Sequence, residues 1–399
     1  MSPSQARSGR DEGPARERHE AVVVGAGPAG LAAATALRRE GVPALVLEQS
    51  SIGSSWRQHY DRLHLHTVRW LSGLPGLPID RREGRWVSRD GVVRYLERYA
   101  DHHRLDVRMG VEVHELLRDD GTWRLRTSDG EIDARFVVVA TGFNREAVLP
   151  DWPGRASFPG ELVHSADYRN PAPYRDKDVL VVGTGNSGAE IAVDLVEGGA
   201  RDVAVSVRTP PNILRRDIGG LPSQAVGVLI RRLPVPVVDR IAAVMQRLTV
   251  GDLTRYGMPA PAAGMLTRAN RDSIPILDVG LIRLLKRRRV RVVPAVVGFD
   301  GPDVLLEGGA TVRPDAVIAA TGFRRGLEPL VGEFGLVGPS GRPVVHGDRT
   351  HPNAPNLYFI GFTNPISGNL RELGIDARRI ARAVLRSRDS EARAPVPAA

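Results

Sequence analysis

The sequence predicts an α/β fold assembled from two similar halves, and three observations predict it. Two separate strand–helix–strand units carry a glycine-rich turn after the first strand. Each unit is followed, well downstream, by an apolar strand ending in Ala-Thr-Gly-Phe. The strands are continuous apolar runs, as in a parallel sheet covered on both faces. With 399 residues, 42% of them hydrophobic and 25% charged, the chain is long enough for two or three buried cores.

The first unit is HEAVVVGAGPAGLAAATALRREGVPALVLEQS: a strand over 21–24, an Ala/Leu-rich helix ended by Gly41, and a strand finishing at Glu48. The second is DVLVVGTGNSGAEIAVDLVEGGARDVAVSVR, with a strand over 179–182, a helix ended by Gly198-Gly199, and a strand reaching Arg208. Their sequels are FVVVATGF (136–143) and AVIAATGF (316–323). A plan repeated in this way argues for two Rossmann-like dinucleotide-binding domains rather than one decorated sheet. Short alternating strands with Asp-Gly turns precede the first Ala-Thr-Gly-Phe, and NLYFIGF leads into a last helix from about 369 to 385. The division expected is a disordered tail over 1–18, a first domain over 19–165, a second domain over 166–323 inserted into it, the return of the first over 324–387, and a disordered tail over 388–399. Residues 210–280 hold several prolines and two amphipathic segments, which would cover a substrate entrance, form a dimer interface, or pack on the domain.

Gly25-Ala26-Gly27-Pro28-Ala29-Gly30 has the strand before it and the helix after it that a dinucleotide site requires. Gly25 permits the tight turn, Gly27 lets the backbone approach a pyrophosphate at the helix N-terminus, and Gly30 permits close helix–strand packing. Glu48, next to Gln49, falls where an acid binds ribose hydroxyls, so the first site suits FAD. Gly183-Thr184-Gly185-Asn186-Ser187-Gly188 repeats the pattern, but its second strand ends at Arg208-Thr209 where the first ended in an acid. An arginine there pairs with a 2′-phosphate, which favours NADPH; the bland reading is one more surface arginine in an arginine-rich chain.

The chain has no cysteine, which excludes disulfides, a Cys-ligated zinc site, an iron–sulfur cluster and a dithiol relay; no metal is expected. Two nucleotide sites without a dithiol point to a flavin reduced by NADPH, with O2 as the expected electron acceptor. The net charge of +9 is almost all arginine, since Lys177 and Lys286 are the only lysines. The arginines are spread along the chain, so a phosphate-rich cofactor is a better use for them than nucleic acid. No apolar run has the ~18 residues needed to cross a membrane. The polar first 20 residues carry no secretory apolar region, and a cytoplasmic location is expected.

Between the two units lies FPGELVHSADY (158–168), in which Phe158, Gly160, His164 and Tyr168 stand in the spacing FxGxxxHxxxY. Placed just before the second glycine loop, it resembles the signature of class B flavin-dependent monooxygenases. YDRLHLHT (60–67), HSADY, VLVVGTGNSGAEIAVDL, LTRYGMPAP, IPILDVG and AVIAATGF extend the likeness to the YUCCA-like branch of the flavin-containing monooxygenases. The resemblance implies FAD, NADPH, and a C4a-hydroperoxyflavin kept alive by bound NADP⁺. One oxygen atom would go into a small organic substrate, by N- or S-oxygenation or by oxidative decarboxylation of a 2-oxo acid such as indole-3-pyruvate. It also implies that Trp56, Arg57, His64, Val113, Ala140, Thr141, Gly142, Asn369 and Leu370 lie by the flavin, Ala320, Thr321 and Gly322 by NADPH, and Phe158, Gly160, His164 and Tyr168 at a bound cofactor. His66 is the candidate nearest the reacting atoms, or a histidine held in a structural turn; Trp56 is equally at home in a core. The motif closes with Tyr168-Arg169 instead of the Trp-Pro of many ketone-oxidising members, which weighs against ester formation. The rival reading is an FAD/NADPH reductase serving a protein partner. A homodimer is the expected assembly.

Overall fold

A computed structural model of the protein describes residues 16–119, 121–230, 233–269 and 275–392. Strand β1 (Glu17–Val24) starts the first sheet, and Gly25 turns it at φ +108°, a value that residues with a Cβ rarely adopt. Gly27 caps helix α1 (Pro28–Arg39), where Pro28 suits the first turn because no N–H is needed there. Strand β2 (Ala44–Glu48) returns parallel to β1. Helices α2 (Ser54–Arg57) and α3 (Arg89–His102) lead to β3 (Asp106–Met109), which pairs parallel with β2. An antiparallel meander follows: β4 (Val113–Asp119), β5 (Thr122–Thr127) and β6 (Gly130–Val139). β6 runs parallel to β1; its other edge pairs first with β5 and then, in parallel, with the distant strand Leu357–Phe359.

Beyond the short strand β7 (Glu146–Ala147) the chain builds a second sheet. β8 (Glu161–His164), β9 (Asp178–Val182), helix α4 (Asn186–Glu197) and β10 (Asp202–Ser206) are joined by strands Arg291–Val293 and Ala316–Ala319. All five strands are parallel, in the order 291–293, β10, β9, 316–319, β8. Phe323–Arg324 then pairs with β7, so the chain leaves and re-enters the first half at one place. Two details differ from the sequence division. Residues 161–164, grouped there with the first domain, hydrogen-bond into the second sheet. The final helix runs Asn369–Ala392, past the expected end near 385 and into the stretch read as a disordered tail. Glu17 and Arg18 likewise belong to β1, while residues 1–15 and 393–399 lie outside the described residues.

α1 is rich in alanine because it lies between the first sheet and the final helix, and small side chains let three layers approach closely. Residues 29–37 are all buried. In the 210–280 region, α5 (Ser223–Ile230), α6 (Val235–Thr249) and α7 (Met265–Ala269) share a small core of Ile230, Val238, Ala242 and Met265. That core rests on Ile366, just ahead of the final helix, and so bridges the two halves.

Candidate active site

A cavity of about 810 Å³ runs from the first glycine loop to the underside of α5–α7. Gly25, Gly27, Pro28, Ala29, Glu48 and Gln49 line one end. A Cβ on Gly27 would meet nothing within 4 Å, whereas one on Gly30 would stand 1.8 Å from the Gly25 carbonyl oxygen. Gly27 is thus the glycine facing open space and Gly30 the one that lets α1 touch β1. Ala26 sits behind the wall, fully buried. Its N–H donates to the Glu48 carboxylate at 2.8 Å, and the Ser50 N–H does so at 3.0 Å. A carboxylate so held keeps lone pairs for ribose hydroxyls.

Trp56, Val113, Ala140, Thr141, Gly142, Asn369 and Leu370 also line this cavity. Arg57 and His64 do not. Arg57 is exposed and ion-paired with Glu97, and His64 is exposed with Nδ1 at 2.7 Å from the Arg62 carbonyl oxygen. The reason is local: in the short helix α2 successive side chains are turned by about 100°, and in the extended turn around 64 they alternate between sides.

The second glycine loop repeats the first. Gly183 has φ +110°, Gly185 faces open space, and a Cβ on Gly188 would stand 2.1 Å from the Gly183 carbonyl oxygen. Gly183, Thr184, Gly185, Ser187 and Gly188 lie off the cavity wall; Asn186 is on it, bonded to the Leu277 N–H at 2.8 Å. Arg208 and Thr209 are exposed beyond β10. Ala320 and Thr321 join the second sheet to the hinge: the Ala320 N–H donates to Val182, and the Thr321 hydroxyl to the Val148 carbonyl. Gly322 follows, its carbonyl 3.1 Å from His164 Nε2.

The linker motif turns inward. Phe158 packs on Phe299 at 5.4 Å between ring centroids, and Gly160 has no room for a Cβ, which would stand 2.6 Å from the Asp315 carbonyl oxygen. His164 is buried and braces the Gly322 turn; burial holds its pKa below the usual imidazole range. Tyr168 is buried and donates to Asp194 on α4 at 2.8 Å. All four were expected at a cofactor. None of the four lines this cavity; they pack as braces, and Ala166, Asp167 and Arg169 reach it.

His66 lies on the cavity wall. Its Nε2 is 3.1 Å from Glu190 Oε1, while its Nδ1 is buried without a hydrogen-bond partner. Glu190, on α4 and 3% exposed, accepts from the Tyr60 hydroxyl at 3.0 Å through its other oxygen. Burial pushes Glu190 up to about 7; burial, with the Arg216 charge behind it, pushes His66 down to about 4. Sequence reasoning missed Glu190 and Tyr60. An acid on the buried face of an otherwise apolar helix, GAEIAVDL, was the available signal. It also missed Gln224 on α5, which accepts from the Val68 N–H at 3.0 Å and donates to the Ser367 carbonyl at 3.0 Å. Gln224 thereby ties α5 to both sides of the cavity.

The far end of the cavity is apolar: Leu214, Val226, Ile230, Ala242, Met245 and Met265. Its other end carries orphaned polar atoms, since Thr141 Oγ1 and Asn364 Nδ2 are buried without partners as His66 Nδ1 is. Unpaired buried polar groups are costly, so their gathering on one wall fits a large ligand with a polar edge, as a flavin nucleotide has. Among the described residues, no cluster could hold a metal ion, and no helix is long and apolar enough to cross a membrane.

Two glycine loops beside one cavity, in a chain without cysteine, define a two-nucleotide oxidoreductase whose electrons leave by a route other than a protein dithiol. Comparison with known proteins narrows the class. Residues 22–217 match the family described as pyridine nucleotide-disulphide oxidoreductase. The indole-3-pyruvate monooxygenase YUCCA1 of Oryza sativa subsp. japonica is 38% identical over 366 residues, covering 88% of this chain and 90% of its own. The probable indole-3-pyruvate monooxygenase YUCCA3 of Arabidopsis thaliana is 33% identical, over 86% and 82%. A solved flavin-containing monooxygenase from Stenotrophomonas maltophilia superposes with a TM-score of 0.72 at 27% identity, covering 93% of this chain and 99% of that one. The chain belongs to the class B flavin-dependent monooxygenases, FAD- and NADPH-dependent oxidoreductases, in their YUCCA-like branch.

Proposed function

We propose that FAD lies along the first glycine loop, with its pyrophosphate over Gly27 and its ribose on Glu48, and that NADPH docks on the second loop with Arg208 on the 2′-phosphate. Bound there, the flavin supplies hydride acceptance from NADPH and activation of O2. The protein's part is to bind, orient and exclude water. Thr141, Asn364 and the opening turn of the final helix, at Asn369 and Leu370, would take the polar edge of the flavin; Trp56 would flank it. FPGELVHSADY fixes the angle between the halves from behind, through His164 on the Gly322 turn and Tyr168 on α4.

The substrate we propose is a small organic molecule with a flat or branched apolar body, and an aryl 2-oxo acid such as indole-3-pyruvate heads the candidates. The observation that carries this reading is the apolar far end of the cavity under α5–α7, lined by Leu214, Val226, Ile230, Ala242, Met245 and Met265. It favours a small molecule over the docking of an electron-accepting protein. The names of the relatives support the 2-oxo acid. Oxidative decarboxylation then balances as 2-oxo acid, O2, NADPH and one proton giving the acid one carbon shorter, CO2, NADP⁺ and water. Incubating the holoenzyme with NADPH, ¹⁸O2 and an aryl 2-oxo acid tests it: one labelled atom in the shortened acid and one NADPH per product are expected. Stoichiometric H2O2 with unlabelled substrate would overturn the assignment. A cytoplasmic location and a homodimer complete the proposal, checked by cell fractionation and by sedimentation of the purified enzyme.

A further inference from the structure

We infer that Glu190 is a positioning residue that shares a proton with His66, and so sets which nitrogen of that imidazole on the cavity wall carries the hydrogen. The inference rests on the monooxygenase reading for its use, though not for its geometry. His66 and Glu190 come from opposite halves of the molecule: a loop of the first and the second turn of α4 in the other. One imidazole nitrogen meets the carboxylate; the other is buried without a hydrogen-bond partner.

Two arrangements satisfy the 3.1 Å contact. With Glu190 ionised, His66 Nε2–H donates to it, and Nδ1 presents a lone pair. With Glu190 protonated, its hydroxyl donates to Nε2, and Nδ1 carries the hydrogen. The second arrangement holds one more proton than the first, and in neither does the imidazole bear a positive charge inside a dry site. Release of that proton to solvent leaves Nε2–H and the carboxylate, so the tautomer of the imidazole follows the charge of Glu190.

The surroundings agree. The Tyr60 hydroxyl holds Oε2 and leaves Oε1 for the histidine. The charged groups facing the pair are Arg216, whose guanidinium lies 4.3 Å from the Trp86 ring centroid, Arg62, and Asp194, which is itself engaged by Tyr168 and Arg62. Burial opposes charge on both partners, placing Glu190 near neutrality and keeping His66 uncharged there.

Glu190→Gln is the test, because a glutamine can donate to Nε2 and accept from Tyr60 but cannot exchange its proton. In the ¹⁵N spectrum of the histidine-labelled holoenzyme, wild-type His66 should pass from Nδ1–H below about pH 7 to Nε2–H above it, while Glu190→Gln stays Nδ1–H throughout. The wild-type kcat should change across about pH 7 with the tautomer, and the variant should be flat across that range. Tyr60→Phe removes a bond that favours the ionised carboxylate, so it should move the wild-type inflection to higher pH. A tautomer that does not change with pH in the wild type, or an inflection that survives in Glu190→Gln, overturns the inference. The two readings fail separately. Without monooxygenase activity no ¹⁸O appears in product yet the tautomer still switches; without the shared proton, labelled product forms and no switch is seen.

Discussion

The two glycine loops are near-copies in backbone, yet they lie in different surroundings. In the first, Gly27 opens onto the cavity and Glu48 is fastened by the N–H groups of Ala26 and Ser50. In the second, the loop faces outward, the place of the acid is taken by the buried Ser206, whose hydroxyl donates to Pro294, and Arg208 stands exposed beyond it. One loop is built into the wall of an internal chamber, and the other is a landing place on its outside. The difference fits one nucleotide that stays and one that comes and goes with each turnover.

The strongest way to break this contrast is Gly30→Ala. Its Cβ would overlap the Gly25 carbonyl, so about 3 kcal/mol or more should be lost, with an apoprotein of lowered thermal midpoint as the result. Gly27→Ala should fold normally, because nothing crowds that Cβ, and should lose flavin instead; dialysed FAD content measures it, and an unchanged content would remove Gly27 from the phosphate site. Arg208→Ala should weaken NADPH by about 30-fold and NADH hardly at all, without altering FAD content. Equal losses for both nucleotides would make Arg208 an ordinary surface residue. The smallest effect belongs to Gly185→Ala, expected to raise the KM for NADPH by about tenfold while leaving FAD and the thermal midpoint in place, since the outward loop has room to adjust.

Much of this was legible in the sequence. Glycine turns, apolar strands and the terminal Ala-Thr-Gly steps are local patterns, and they located both sheets and the glycine loop that lines the cavity. The partnership of His66 with Glu190 was not, because no local pattern reports a contact between residues so far apart in the chain. The motif FPGELVHSADY was recognised, and none of its four spaced residues lines the cavity. A recurring spacing reveals that side chains are constrained, but packing and ligand contact constrain alike, and Phe158, Gly160, His164 and Tyr168 turned out to be packed. Arg57 and His64 were lost to direction: one residue along, a side chain faces solvent. The helices of 210–280 were foreseen, whereas their role as the cover of the cavity depended on Gln224 and Ile366, which join them to segments distant in sequence.

The strand Leu357–Phe359 has a consequence for the order in which the protein can be made. During synthesis all five strands of the inserted sheet are available once Ala319 has emerged. The first sheet, begun at Glu17, still lacks its strand on β6, and the alanine face of α1 still lacks the final helix. The half translated first is therefore the half completed last, and its bare apolar surface is what a chaperone at the ribosome exit would meet.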